Sequence, residues 1–177
     1  MAVLFNECFG DAMATNVEEK VKNLAALMKS RRSSLALAES CTGGLLSSYI
    51  TKLSGVSSFY QGAVVSYSAQ VKQNQLGVAH TLIKAHGEVS EPVARAMAIG
   101  ARESLNSQWA LSITGIAGPN GGTKDKPVGT VCFGLAGPAF VSTKTKYFTG
   151  DREQIQLQSC DYALEALIKT LNNEYVI

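Results

Sequence analysis

Histidine is scarce in this chain: His80 and His86 are the only two among 177 residues. The four cysteines, Cys8, Cys41, Cys132 and Cys160, are scattered and form no C-x-x-C pair. That combination argues against a zinc site, and scattered thiols in a chain of this size suit a reducing compartment. Charge is sparse too, at 17% of residues with a formal net charge of +2. Trp109 is the sole tryptophan, and no stripe interleaves aromatic with basic side chains. Nothing therefore points to nucleic acid or a membrane as partner. No apolar run approaches membrane-spanning length. Residues 1–14 carry Glu7 and Asp11 but no early Lys or Arg, which is not a signal peptide. They read as an N-terminal extension, and a cytoplasmic protein is expected. Two motifs are also missing. Without G-x-G-x-x-G there is no dinucleotide fingerprint, and without G-x-S-x-G no lipase-type nucleophile elbow.

What is present fits one globular domain, taken as residues 15–177. Hydrophobic residues make up 46% of the chain, and its length allows about two thirds of the unfolded surface to be buried. Thr15-Asn16 ahead of Glu18 and Glu19 resembles a capping box, with Val17, Val21, Leu24 and Met28 on one helical stripe. A strand is expected over about 34–38, a helix over 42–53 and a second strand over 59–67. A short helix from Ser68 or Ala69 should close at Gly77, and another turn of helix is expected over 82–85. Ser90-Glu91-Pro92 is a strong helix start. Val93, Ala96, Met97 and Gly100 then form a narrow face suited to close packing on the sheet. A third strand is expected over 109–114, and a hairpin over 128–148 turning at Gly137-Pro138. Asp151 should cap a last helix striped by Leu157, Cys160, Leu164, Ile168 and Leu171. This alternation predicts a three-layer α/β/α domain around a mixed sheet of about five or six strands.

The stretch Leu35 to Leu46 is the centre of interest. A buried strand runs straight into Glu39, Ser40, Cys41 and Thr42, then Gly43 and Gly44, then a helix. Helix starts favour anions and developing oxyanions, so a nucleophile is well placed there. A Thr-capped helix with a small-residue turn accounts for the same pattern. Ser40 and Cys41 are rival nucleophiles, and on an extended turn only one of the two faces the site. A Ser-His-Asp arrangement would need His80 or His86, neither in a special setting. Lys72 offers a different base. It lies one turn into a helix, where the dipole disfavours its charge, and if buried as well it could take a serine proton as an amine. Tyr67 could relay that proton or donate to an oxyanion. A snorkelling lysine and a core-edge tyrosine explain the pair equally. The segment Gly115–Pro127, with four glycines and two prolines, could offer backbone N–H groups to a phosphate or carboxylate, or could be a plain surface loop. Arg152 could clamp an anion beside it.

Taken together and in order, Ala38-Glu-Ser-Cys-Thr-Gly-Gly44, Tyr67-Ser-x-x-x-Lys72, His86-Gly-x-Val-Ser-Glu-Pro92, Gly115-Ile-Ala-Gly-Pro119, Lys126-Pro-Val-Gly-Thr-Val131 and Gly150-Asp-Arg152 resemble the CinA C-terminal domain family. The likeness covers roughly residues 17–172 and is nearest to stand-alone nicotinamide-nucleotide amidases. Longer relatives carry an additional N-terminal nucleotide-pyrophosphatase-like domain, whose activity is not carried over. The resemblance implies hydrolysis of the carboxamide of nicotinamide mononucleotide to nicotinate mononucleotide and ammonia in bacterial pyridine-nucleotide recycling, with no metal and no cofactor. It implies Ser40 as nucleophile with Tyr67 and Lys72 assisting. Backbone N–H groups near Thr42 and Gly43 are expected to stabilise the oxyanion, and Gly44 is expected at the substrate with them. Thr114, Gly115, Ile116, Ala117, Gly118, Lys126 and Arg152 are expected around the substrate. A non-catalytic nucleotide-binding or regulatory member of the family is the alternative, and a Cys41 hydrolase is a third. A homo-oligomer is expected, with a symmetric dimer favoured on the small-residue helix face and the terminal hairpin.

Overall fold

The computed structural model describes residues 2–173, with side chains from residue 12 onward. Five strands form one sheet: β1 (Leu35–Glu39), β2 (Tyr60–Val65), β3 (Trp109–Gly115), β4 (Thr130–Ala136) and β5 (Val141–Tyr147). Their order is β2-β1-β3-β4-β5. β1 pairs parallel with β2 and β3, while β4 runs antiparallel to both β3 and β5. The sheet is thus mixed, as expected, with β4 and β5 as its terminal hairpin.

Helices cover both faces. α1 (Ala2–Ser30), α2 (Leu45–Thr51) and α6 (Arg152–Leu171) lie on one, and α3 (Ala69–Leu76), α4 (His80–His86) and α5 (Glu91–Ser104) on the other. The two-residue period of β1 divides its side chains between these layers. Leu35 and Leu37 enter the larger core with Val21, Leu24, Met28 and Leu164, while Ala36 and Ala38 enter the smaller one with Val93, Met97 and Ala101. Small residues let α5 lie close to the sheet: a Cβ at Gly134 would come within 2.5 Å of the Ala94 carbonyl oxygen.

Several expected helix signals hold. Ser68 accepts from the Val71 N–H, Ser90 from the Val93 N–H and Asp151 from the Gln154 N–H, and Gly77 ends α3 in the left-handed region. Two differ. The Thr15-Asn16 capping box is not a helix start, because α1 runs through it from Ala2. No proline interrupts residues 2–30, so nothing breaks the helix there. Gly100 faces α3 rather than the sheet, where an added Cβ would lie 1.9 Å from the Leu76 carbonyl oxygen. Of the small-residue face of α5, Val93, Met97 and Gly100 are buried inside the protomer and Ala96 is half-buried. No helix among the described residues is long and apolar enough to cross a membrane.

Candidate active site

Because β1, β2 and β3 are parallel, their carboxyl ends share one edge of the sheet, where ligands settle in open α/β folds. Residues 40–41, 67 and 115–118 all leave the sheet there. A cleft of about 270 Å³ lies at this edge, bordered among others by Ser40, Tyr67, Lys72, Glu88, Gly118 and Arg152. Thr114, Gly115, Ile116 and Ala117 also border it.

The turn after β1 does not start α2 as expected at Thr42. Gly43 and Gly44 take left-handed φ values of 64° and 97°, and α2 begins at Leu45. No side chain at the cap position satisfies its first N–H groups. Glu39, 1% exposed, reaches forward instead: its carboxylate accepts from the N–H groups of Gly44 (3.1 Å), Leu46 (3.1 Å) and Ser47 (2.8 Å). The anion thus sits on the positive end of the helix. This role is legible only weakly in sequence, as an acidic residue at a strand end just before a glycine pair.

The Gly44 N–H is therefore occupied, and that of Gly43 donates to the Ser40 carbonyl (3.1 Å). Neither glycine is available as an oxyanion donor, which corrects that expectation: the turn curls back on itself and uses them. Cys41 and Thr42 keep the turn's N–H groups that have no backbone acceptor among the described residues. Both Ser40 and Cys41 border the cleft, but Ser40 Oγ meets Lys72 whereas the Cys41 side chain packs into the larger core. They differ in chemistry. Burial pushes the Cys41 thiol up to about 12, which leaves it protonated.

Lys72 is 1% exposed, and its Nζ donates to Ser40 Oγ (3.0 Å), the Ser66 carbonyl (2.9 Å) and Glu88 Oε2 (3.1 Å). An ammonium would use all three of its N–H groups on these acceptors. An amine would donate two and accept the Ser40 hydroxyl proton on its lone pair, with no atom displaced. Proton transfer from Ser40 to Lys72 is therefore built into the arrangement as a change of hydrogen position. Ser66 and Glu88 escaped the sequence reading because they are 6 and 16 residues from Lys72, at no helical or strand spacing.

Tyr67 is 61% exposed and its hydroxyl accepts from Arg152 Nη2 (3.1 Å), not from Ser40 or Lys72. With the direct Ser40–Lys72 contact, no relay through Tyr67 is needed. Arg152 also donates to the Gly118 carbonyl (2.7 Å), which joins α6 to the loop after β3. In that loop the N–H groups of Ala117, Gly118, Asn120 and Gly121 have no acceptor among the described residues, and all four residues border the cleft. This is a concave set of donors of the kind that binds anions. Arg152 completes it as a cleft cation with no carboxylate partner among the described residues.

Lys126 is placed elsewhere. Its ammonium donates to the carbonyls of His86 (2.7 Å) and Val89 (2.7 Å) and does not border the cleft, so it ties the loop to the α4–α5 connection rather than meeting a ligand. Thr114 Oγ1 likewise donates to the Glu88 carbonyl (2.9 Å). Neither His80 nor His86 borders the cleft. Among the described residues no group of three or more His, Cys, Asp or Glu side chains could hold a metal ion.

Known proteins carry the same architecture. A family model described as "CinA C-terminal domain" matches residues 17–171. A CinA-like protein of Anaeromyxobacter sp. (strain Fw109-5) is 47% identical over 160 residues, covering 90% of this chain and 39% of the relative. A second, from Prochlorococcus marinus (strain MIT 9515), is 50% identical over 129 residues, covering 72% of this chain and 30% of the relative. This chain thus spans well under half the length of those relatives. A solved CinA superfamily protein of Klebsiella pneumoniae 700603 superposes with a TM-score of 0.86 at 32% identity, covering 89% of this chain and 98% of that one. A competence/damage inducible protein of Agrobacterium tumefaciens gives 0.85 at 33% identity, covering 89% and 96%. With its fold and nearly its whole length matched, the chain belongs to the CinA C-terminal domain family.

Proposed function

We propose that this cleft hydrolyses the carboxamide of nicotinamide mononucleotide, giving nicotinate mononucleotide and ammonia as a cytoplasmic step of pyridine-nucleotide recycling. The observation that carries the reading is the buried 3.0 Å contact between Ser40 Oγ and Lys72 Nζ at the cleft. Ser40 attacks the carboxamide carbon as its proton passes to Lys72. The oxygen of the tetrahedral intermediate takes a donor from the Cys41–Thr42 backbone, a contribution of roughly 3–4 kcal/mol. Lys72 returns the proton to the amide nitrogen, the C–N bond breaks and ammonia leaves. Water then attacks the acyl-enzyme while Lys72 takes its proton, and Ser40 is restored as the acid departs. The free N–H groups of Ala117, Gly118, Asn120 and Gly121 and the Arg152 guanidinium receive the substrate's phosphate.

Ammonia release from nicotinamide mononucleotide, without added metal, by the wild type and by Ser40→Ala tests this directly. Release abolished in the variant is expected. Undiminished release from Ser40→Ala refutes the serine mechanism. A second reading, a nucleotide-binding module without turnover, is favoured by one observation: the three acceptors around Lys72 are a full complement for an ammonium that cannot take a proton. It predicts nucleotide binding by calorimetry with no ammonia from the wild type.

A further inference from the structure

Glu88 has no counterpart in the serine–lysine scheme above, yet the fold takes care to hold it. It lies in the connection between α4 and α5, whose backbone is fastened at three points: Lys126 Nζ holds the carbonyls of His86 and Val89, and Thr114 Oγ1 holds that of Glu88 itself. From this fixed backbone the carboxylate reaches Lys72 Nζ at 3.1 Å. The pair is lopsided, since the lysine side chain is 1% exposed and the glutamate 43%. Among the described residues Lys72 is the only fully buried cation, and Glu88 is the only carboxylate touching it.

That asymmetry matters when Ser40 gives up its proton. A positive charge then forms on a nitrogen cut off from water, and its other partners, Ser40 Oγ and the Ser66 carbonyl, are not anions. A buried cation without a counterion is strongly disfavoured. The groups around Lys72 come from several elements. They are Ser40 in the turn after β1, the Ser66 carbonyl after β2, and Glu88 before α5. Further out, Glu39 on β1 and Arg152 on α6 act electrostatically, together with Lys72, on the protonated Cys41 thiol beside Ser40. Of these, Glu88 alone puts negative charge on the Lys72 nitrogen.

We propose that Glu88 is the positioning residue of the Ser40–Lys72 pair: its carboxylate orients the Lys72 nitrogen toward Ser40 and stabilises the ammonium formed there. It does for lysine what the buried aspartate of a serine protease does for histidine. The inference rests on Ser40 and Lys72 acting as proposed above, and it adds a third member from a separate segment. Its consequence is a coupling between charge and pH. Removing the carboxylate leaves the ammonium formed on proton transfer without a counterion.

The test compares wild type, Glu88→Gln and Glu88→Asp in two pH series. One follows kcat/KM for ammonia release from nicotinamide mononucleotide. The other follows the rate at which a small fluorophosphonate labels Ser40, located by mass spectrometry, which needs no natural substrate. In both, Glu88→Gln should move the acid limb down by about one pH unit and lower the alkaline plateau about tenfold, with screening at the half-exposed carboxylate holding the shift to that size. Glu88→Asp, keeping the charge at a longer reach, should fall between the two. A wild type that releases no ammonia but is labelled at Ser40 with a Glu88-dependent limb rejects the substrate and supports the inference. A Glu88→Gln protein whose amplitude drops while its limb stays in place has lost only packing, and overturns the inference. A wild type neither labelled nor turning over overturns both.

Discussion

Glu39 should be a principal support of the site's local structure, and its replacement is the sharpest test of how the turn is held. In Glu39→Ala three N–H groups at the start of α2 lose their acceptor. They are not equivalent. The Leu46 N–H is buried and cannot be reached by water, while those of Gly44 and Ser47 are partly exposed and can be rehydrated. An orphaned buried donor costs about 1–3 kcal/mol and a rehydrated one about 0.5–1.5 kcal/mol, against which the relief of no longer burying a carboxylate must be set. The net expectation is a loss of about 2–4 kcal/mol, larger than the typical 1 kcal/mol of an exposed helix cap. Glu39→Gln should fall in the lower half of that range, because its oxygen keeps one or two of the bonds while its NH2 meets a backbone donor. Urea unfolding, followed by far-UV circular dichroism, measures the difference. If Glu39→Ala unfolds within about 0.5 kcal/mol of the wild type, as a neutral surface change would, the carboxylate is not the cap and the reasoning fails.

Other outcomes follow from the same geometry. Cys41→Ala should keep ammonia release, and iodoacetamide at neutral pH should leave the wild type active, since burial holds the thiol protonated with a pKa of about 12; rapid inactivation would return the nucleophile to Cys41. Arg152→Met should raise KM for nicotinamide mononucleotide about 10–100-fold with a smaller change in kcat, the size expected for charge-assisted hydrogen bonds to an anion; steady-state kinetics with the nucleotide and with its phosphate-free riboside would show whether the loss depends on the phosphate. Hydrogen bonds from Thr145 and then Thr143 hold the Glu91 carboxyl below its ordinary 4.5. With the folded-state value depressed, this contribution is present above 4.5 and disappears as pH falls through the lower folded value, so thermal stability should drop on that acid limb, and less steeply in Glu91→Gln.

Much of the architecture was readable because it is written locally. The Ser90-Glu91-Pro92 start, the Asp151 cap and the stripe from Leu157 to Leu171 each depend on neighbours within a few residues, and all three stand where the pattern put them. The pairing of Ser40 with Lys72 was reachable from side-chain chemistry and from the rule that sheet edges gather ligands. The contacts that refine the site were not. Lys126 looked like an anion ligand because a basic residue in a glycine-rich loop usually points outward, but two carbonyls on the α4–α5 connection, 37 and 40 residues earlier, take its ammonium instead. The Gly43 and Gly44 N–H groups looked free because glycine advertises backbone access, whereas a carbonyl and a carboxylate of the same turn already use them. Such partners are chosen by three-dimensional distance, and no spacing in the chain encodes them.

The convergence of strand ends at one edge also governs when the protein can work. Ser40 and Lys72 lie 32 residues apart, Lys72 and Glu88 another 16, and Tyr67 meets Arg152 across 85 residues. These pieces come together only after the parallel pairs close and α6 docks, both of which are long-range events that folding reaches slowly. A chain in which α6 has not yet docked therefore carries Ser40, Lys72 and Glu88 without the Arg152–Tyr67 contact that closes the far side of the cleft. Competence at this centre is a property of the finished fold, and its loss on heating or in denaturant should trace the global transition rather than precede it.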